Sequence, residues 1–182
     1  MKNGIVLCAE GFEEIEALTA IDLLRRADLS VMTLGVTGKT VTGSHGIPII
    51  TDRQIVDIPQ GDKYDFIVIP GGMPGAKNIA GSQTAAALIR SVHEKQGLVA
   101  AICAAPSVVL YPMGLLNGKK ATCFPGMESH WENVQFSEDR VCFDGNLITS
   151  RGAGTAMEFA LSVIGYLCGK EKADTIAGKI LA

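Results

Sequence analysis

The sequence carries no surplus of basic charge. Sixteen Lys and Arg residues stand against 19 Asp and Glu, for a net charge of −3. A broad electrostatic surface for nucleic acid is therefore not expected, and no specific nucleic-acid partner is predicted. There is no Cys-x-x-Cys pair and no Cys/His spacing suited to zinc, so no metal site is expected. The five cysteines are an odd number in a medium-sized chain. That argues against a disulfide scaffold and for free thiols in a reducing cytosol. Neither Gly-x-x-x-x-Gly-Lys-Ser/Thr nor Gly-x-Gly-x-x-Gly follows a strand pattern, which leaves no phosphate loop. The apolar run at 4–9 is too short for a signal-peptide core, and Glu10, Glu13, Glu14 and Glu16 follow it. A soluble, cytoplasmic protein with no membrane association is expected. Repeats, low-complexity tracts and long linkers are also missing. With 182 residues, 47% of them hydrophobic and 19% charged, the chain is too apolar for disorder. It has material for one full core, and a single domain over 1–182 is expected.

What is present is an alternation of strand-length apolar runs with helical patterns. Residues 5–9 read as a buried strand. From Glu13 the period changes, and Ile15, Leu18, Ile21 and Leu24 form an apolar stripe that ends with Arg25 and Arg26 in the last turn, where cations suit the helix dipole. Residues 29–36 form a second strand, and 41–43 with 47–51 a small hairpin around Ser44-His45-Gly46. The run 65–70 is a third main strand that ends in Gly71-Gly72, and Ser82 can N-cap a helix through about residue 96. A strand at 98–102 leads into a helical pattern at 104–116. Short strands at 120–123, 140–143 and 147–150 and helices at 155–168 and 170–181 complete the chain. Continuously apolar strands alternating with helices predict an α/β fold, a mostly parallel sheet covered on both faces. Ligands of such sheets sit beyond the carboxyl ends of the strands.

Three strand ends carry suggestive residues. Cys103 falls at a strand-to-helix turn, flanked by Ala101, Ala104 and Ala105, small neighbours that a tight turn requires. The N–H groups and dipole of a following helix favour thiolate over thiol, although a buried core cysteine fits the same position. Gly71-Gly72 either brings backbone N–H groups to a substrate oxygen, as in an oxyanion hole, or forms a plain turn. Glu13, Glu14 and Glu16 in a first helical turn are ordinary dipole complements unless one of them faces the sheet end. If one approached Cys103, thiolate and carboxylate would not readily both be charged, and the carboxyl would keep its proton and donate it to sulfur. Cys8, Cys142 and Cys168 read as core residues, and Cys123 is left open. His93 reads as solvated, and His130 either approaches a site or belongs to a surface loop, the better reading.

Four segments taken together carry a resemblance: Gly11-Phe12-Glu13-Glu14-Ile15-Glu16, the run 65–72, Ala100-Ala101-Ile102-Cys103-Ala104-Ala105-Pro106, and the run 147–155. In this order they resemble the ThiJ/PfpI superfamily, and within it the branch of the parkinsonism-associated protein deglycase and its bacterial relatives. The resemblance implies a flavodoxin-like three-layer sandwich of the class I glutamine amidotransferase type, and a homodimer. It makes Cys103 the reactive cysteine and Glu16 its protonated carboxyl partner, with Gly71, Gly72 and Ala104 on the oxyanion and substrate side. It implies a cofactor-free glyoxalase or protein deglycase acting on methylglyoxal-type dicarbonyls, as a small-molecule aldehyde or as early adducts on glycated proteins. An oxidative-stress redox sensor or chaperone built on the same cysteine is the alternative. Members assigned as peptidases carry His directly after the cysteine, where this chain has Ala104. Some deglycase-branch members carry a histidine at the position of Phe124. No Cys–His dyad is thus expected, and peptidase activity is demoted. No residue argues for thiazole monophosphate biosynthesis. In the family the first helix and the hairpin lie near the partner subunit, so Arg26 and His45 either border the neighbour's pocket or are solvated surface.

Overall fold

The computed structural model describes residues 1–59, 61 and 63–182. Among these, seven strands form a central sheet. The first is β1 (Asn3–Cys8), followed by helix α1 (Glu14–Arg26), β2 (Ser30–Gly35), a hairpin of β3 (Thr40–Thr42) and β4 (Pro48–Ile50), and the short β5 (Arg53–Gln54). Then come β6 (Phe66–Ile69), helices α2 (Gly75–Ala80) and α3 (Gln83–Glu94), and β7 (Leu98–Ile102). The last part holds β8 (Lys120–Ala121), β9 (Gln135–Phe136), β10 (Val141–Asp144), β11 (Leu147–Ser150), α4 (Ala156–Cys168) and α5 (Lys170–Ile180). The sheet order is β10-β11-β7-β6-β1-β2-β5. All its pairs are parallel except β10 with β11.

The expected parallel sheet with two covered faces is found. Side chains alternate in direction along a strand, so each central strand feeds two cores. Val6, Val68, Ala100 and Ile148 face α1 and α4, packing with Phe159, Val163 and Leu24. Ile5, Leu7, Ile67, Ile69 and Val99 face the other way, against Ile79 of α2 and Ile89 of α3. Ser82 caps α3 as expected, its Oγ accepting from Ala85 N at 3.2 Å. The chain runs from β1 outward to β2 and then returns to the opposite side of β1 at β6. The crevice between the ends of β1 and β6 is the place where strand order reverses and ligands bind in this architecture.

Several expectations are corrected. The helical pattern at 104–116 is only a π-helical turn, Pro106–Leu110, followed by turns. Pro112 has no N–H for the ladder and Gly114 takes φ +75°, so the helix cannot continue. Ile15 and Leu18 do not face this core. They are 56% and 39% exposed, and Ala17, Ala20, Leu23 and Leu24 take the buried positions together with Ile21. Cys168, at the end of α4, is exposed rather than core, while Cys123 is buried. His93 is half-buried against Asn146. Helix α2 and strands β5 and β9 are additions that the sequence pattern does not reveal.

Phe159 lies fully buried at the contact of α4 with the sheet. Phe159→Ala is expected to cost about 3–5 kcal/mol in urea unfolding with little change in the denaturant slope. A loss below about 1 kcal/mol, the range of surface changes, would contradict this packing.

Candidate active site

Cys103 follows the last residue of β7 and adopts φ 64°. An L-residue in this left-handed region costs roughly 1–2 kcal/mol. Two backbone hydrogen bonds hold the strained residue: Cys103 N donates to Ser150 O at 2.9 Å, and Phe124 N donates to Cys103 O at 2.8 Å. The turn lifts the thiol off the sheet end, where it is partly exposed. The N–H groups of Gly72 and Ala104 point at its sulfur.

Glu16, on the first turn of α1, is completely buried. Its Oε2 accepts from Gly71 N at 2.7 Å. Gly71 packs against both this carboxyl and the thiol: a Cβ at that position would lie 2.7 Å from Cys103 Cβ and 2.9 Å from Glu16 Oε2. Only glycine fits against the two groups. The second Glu16 oxygen, Oε1, is buried without a hydrogen-bond partner among the described residues, an arrangement far less costly for a neutral carboxyl than for an ion. Burial pushes Glu16 up from 4.5 to about 7, helped by the charge of Glu13 and opposed by the Gly71 N–H and the thiol. Burial also pushes the Cys103 thiol up, to about 12. The negative charge of Glu16 adds to this, and the Gly72 and Ala104 N–H groups only partly offset it.

The expected depression of the thiol by a helix N-terminus is therefore overturned. The following helical turn is short, and burial beside a carboxylate outweighs two N–H dipoles. The two groups titrate as a pair. Above a pH of about 7 they hold one proton between them, and a thiolate is then available only when that proton sits on Glu16. A second correction concerns Gly71. Its N–H is engaged by Glu16, which leaves Gly72 and Ala104 as the N–H groups facing the sulfur. Gly72 sits at φ +84° against the backbone of Glu13, Gly11 and Phe12, which no side chain would permit.

The neighbouring glutamates do something else. Glu14 is buried, not a solvated dipole complement, and its Oε1 accepts from His45 N at 2.8 Å and Ile47 N at 3.3 Å. Its Oε2 contacts His45 Nδ1 at 3.1 Å. Burial raises Glu14, but these donors prevail and hold it down to about 2. The contact with Glu14, helped by the charge of Glu13, raises the exposed His45. Among the described residues, Glu13, Glu14 and His45 have potential ligand atoms within 4.8 Å of one another. Those atoms already clamp the β3–β4 hairpin to the start of α1.

The cleft over the sulfur has a volume of about 510 Å³ and is walled by Met73, Phe124, Pro125, Gly126 and Met127. These residues were not singled out as site residues by sequence, apart from Phe124 as the position where a histidine is missing. His130 lies on an exposed turn against Tyr111. None of the three histidines lines this cleft.

The DJ-1/PfpI family model matches residues 2–165. The chain belongs to the DJ-1/PfpI family. It is 41% identical to Protein dj-1beta of Drosophila melanogaster, over 99% of this chain and 97% of that protein. It is 33% identical to the glutathione-independent glyoxalase DJR-1.2 of Caenorhabditis elegans, over 94% of this chain and 91% of that one. The solved structure of oxidized Toxoplasma gondii DJ-1 superposes with a TM-score of 0.96 at 38% identity, covering 100% of this chain and 98% of that chain. The fold is accordingly the flavodoxin-like α/β fold of DJ-1 proteins. Among the described residues no helix is long and apolar enough to cross a membrane.

Because Glu16 ionises near 7 in the folded chain and near 4.5 when free, the native state holds the extra proton between these values. Its contribution to stability is complete below 4.5 and is lost as the pH rises through 7. Glu16→Gln removes this dependence. Relative to wild type, the variant is expected to gain on the order of 2–3 kcal/mol between pH 4 and pH 8, at about 1.4 kcal/mol per tenfold displacement of a proton equilibrium. Parallel stability–pH curves for the two proteins would contradict the raised carboxyl.

Proposed function

We propose that the protein is a cofactor-free, cysteine-dependent glyoxalase and protein deglycase of the DJ-1 type, acting on methylglyoxal-like dicarbonyls or their early adducts on proteins. The observation that carries this reading is the placement of Glu16 and Cys103 against Gly71, with one proton between them. The sulfur adds to the aldehyde carbon of the substrate. An S–C bond forms, the C=O π bond opens, and the oxygen takes the proton that the pair held, giving a hemithioacetal. The N–H groups of Gly72 and Ala104 stabilise the charge that develops on that oxygen. The Glu16 carboxylate then removes the hydrogen on the aldehyde carbon as a proton, and the resulting enediol is reprotonated at the ketone carbon. The aldehyde carbon is oxidised and the ketone carbon reduced, so no external redox partner is needed. Water cleaves the 2-hydroxyacyl thioester and releases lactate and free thiol. A peptidase needs a base for the thiol and an acid for an amine leaving group, and Ala104 directly after the cysteine offers neither.

The same pair supports a second reading. A peroxide-oxidised sulfur at Cys103 would accept the Gly72 and Ala104 N–H groups and a proton from Glu16, and the Toxoplasma relative was solved in an oxidized form. On that reading the protein is a redox sensor or stress chaperone. Either role suits the reducing cytosol implied by five free thiols. Homodimerisation is part of the proposal. The exposed Ile15 and Leu18 on α1 and Ile47 and Ile50 around the hairpin are apolar side chains that a single chain leaves uncovered.

Lactate formation from methylglyoxal is expected in wild type, with a loss of at least about 100-fold in Cys103→Ala and in Glu16→Gln, the range of a positioned acid–base group or nucleophile. Undiminished lactate in Cys103→Ala overturns the enzymatic reading. Addition of two oxygens at Cys103 under graded peroxide, without dicarbonyl turnover, selects the sensor. Sedimentation at micromolar protein should give a dimer, and Ile15→Glu should shift it toward monomer; a wild-type monomer overturns that part.

A further inference from the structure

The cleft over Cys103 is larger and more apolar than methylglyoxal requires. Apart from the sulfur, its polar groups are backbone atoms; the side chains on its walls are those of Met73, Ala104, Phe124, Pro125 and Met127. Met73 and Phe124 are 43% and 49% exposed, so apolar surface is offered to whatever enters. A substrate bearing only a methyl group leaves most of the volume to water, whereas an aromatic or branched substituent removes that surface from solvent.

Phe124 is held in place rather than hanging free. Its N–H donates to Cys103 O at 2.8 Å, and its carbonyl accepts from Met127 N at 3.1 Å. Ser107 Oγ donates to Met127 O at 2.8 Å and ties this turn to the segment after Cys103. Its ring packs over Gly152. A Cβ there would approach the ring at 3.4 Å and the Cys103 sulfur at 4.0 Å. Gly152 has an extended φ of 167° that any residue adopts, and a methyl group there would rest in ordinary van der Waals contact with the ring and the sulfur. On the far side of Phe124 lies a separate cleft with Arg140 and Arg151. Arg140 is paired with Glu158, and Arg151 is stacked over Phe136. The ring thus lines both clefts, and the wall that it gives to the one holding the sulfur is apolar.

We infer that Phe124 is the specificity-determining residue of this site, and that the cleft selects carbonyl electrophiles carrying an aromatic or branched apolar group, such as arylglyoxals, over methylglyoxal. For turnover the inference rests on the glyoxalase reading. For binding it does not, and the test separates the two. Alkylation of Cys103 by phenacyl bromide and by bromoacetone displaces bromide from carbon in both cases, so each rate can be divided by that of free cysteine. Wild type should favour phenacyl bromide by about tenfold after this correction, the scale on which an apolar pocket discriminates. Phe124→Ala, a change at a half-exposed position, should bring the ratio close to one. In turnover, kcat/KM for phenylglyoxal should exceed that for methylglyoxal by at least about tenfold, and Phe124→Ala should erase the difference mainly through KM. Selective alkylation without turnover of either dicarbonyl upholds the inference and removes the glyoxalase reading. A corrected ratio near one in wild type, or one unchanged in Phe124→Ala, overturns the inference whatever the enzyme turns over.

Discussion

A buried carboxyl and a partly exposed thiol meet beside one glycine, and there is room for only one negative charge between them. Full burial of Glu16 raises its affinity for a proton, and its charge in turn raises that of Cys103. Burial is the larger cause at both groups, and the thiol itself draws the carboxyl partly back down. A surface cysteine beside a helix would be a simple low-pKa nucleophile. This one is a thiol whose ionisation requires its neighbour to take up the proton. Both proposed roles, carbonyl addition and oxidation, draw on that exchange.

The rest of the fold serves to keep this pair together. Glu16 hangs from α1, which follows β1; Gly71 and Gly72 follow β6; and Cys103 follows β7. Because the sheet is parallel and reverses its strand order between β1 and β6, these segments converge beyond the carboxyl ends of its central strands. Strain at Cys103 is tolerated because Ser150 at the end of β11 and Phe124 fix its N–H and carbonyl. The clamp formed by Glu14 and His45 holds the hairpin against the N-terminus of α1, which secures the position of Glu16 from the outside.

Much of this organisation was readable from sequence. The fully apolar runs near β1, β6 and β7 read as strands buried on both faces because they are short and alternate with helical patterns, and Ser82 reads as a cap because its oxygen and the Ala85 N–H obey a local rule. The short elements α2, β5 and β9 have no such local signature; tertiary contacts form them. Position singled out Cys103, since a small-residue strand-to-helix turn is visible in the letters. It did not select Glu16 over Glu13 and Glu14, because which carboxyl faces the sheet end depends on how the chain is rotated after Gly11. The resemblance made that choice. The thiol's acidity escapes the sequence for the same kind of reason: a following helix is legible locally, but burial and a carboxylate brought from 87 positions earlier in the chain are not. The exposed side of α1, with Ile15 and Leu18, shows a further limit of periodicity. An apolar stripe reports that something covers it, and does not say whether that is the same chain.

The shared proton can be followed directly in the rate at which iodoacetamide alkylates Cys103 as a function of pH, read by mass on the peptide containing that residue. If Glu16 and Cys103 hold one proton between them, the rate climbs until the pair loses its first proton near pH 7 and is level above it, and Glu16→Gln loses that plateau. A wild-type rate that goes on rising tenfold per pH unit toward the ordinary thiol value of 9.0 would show that the two groups titrate independently, and would contradict the account.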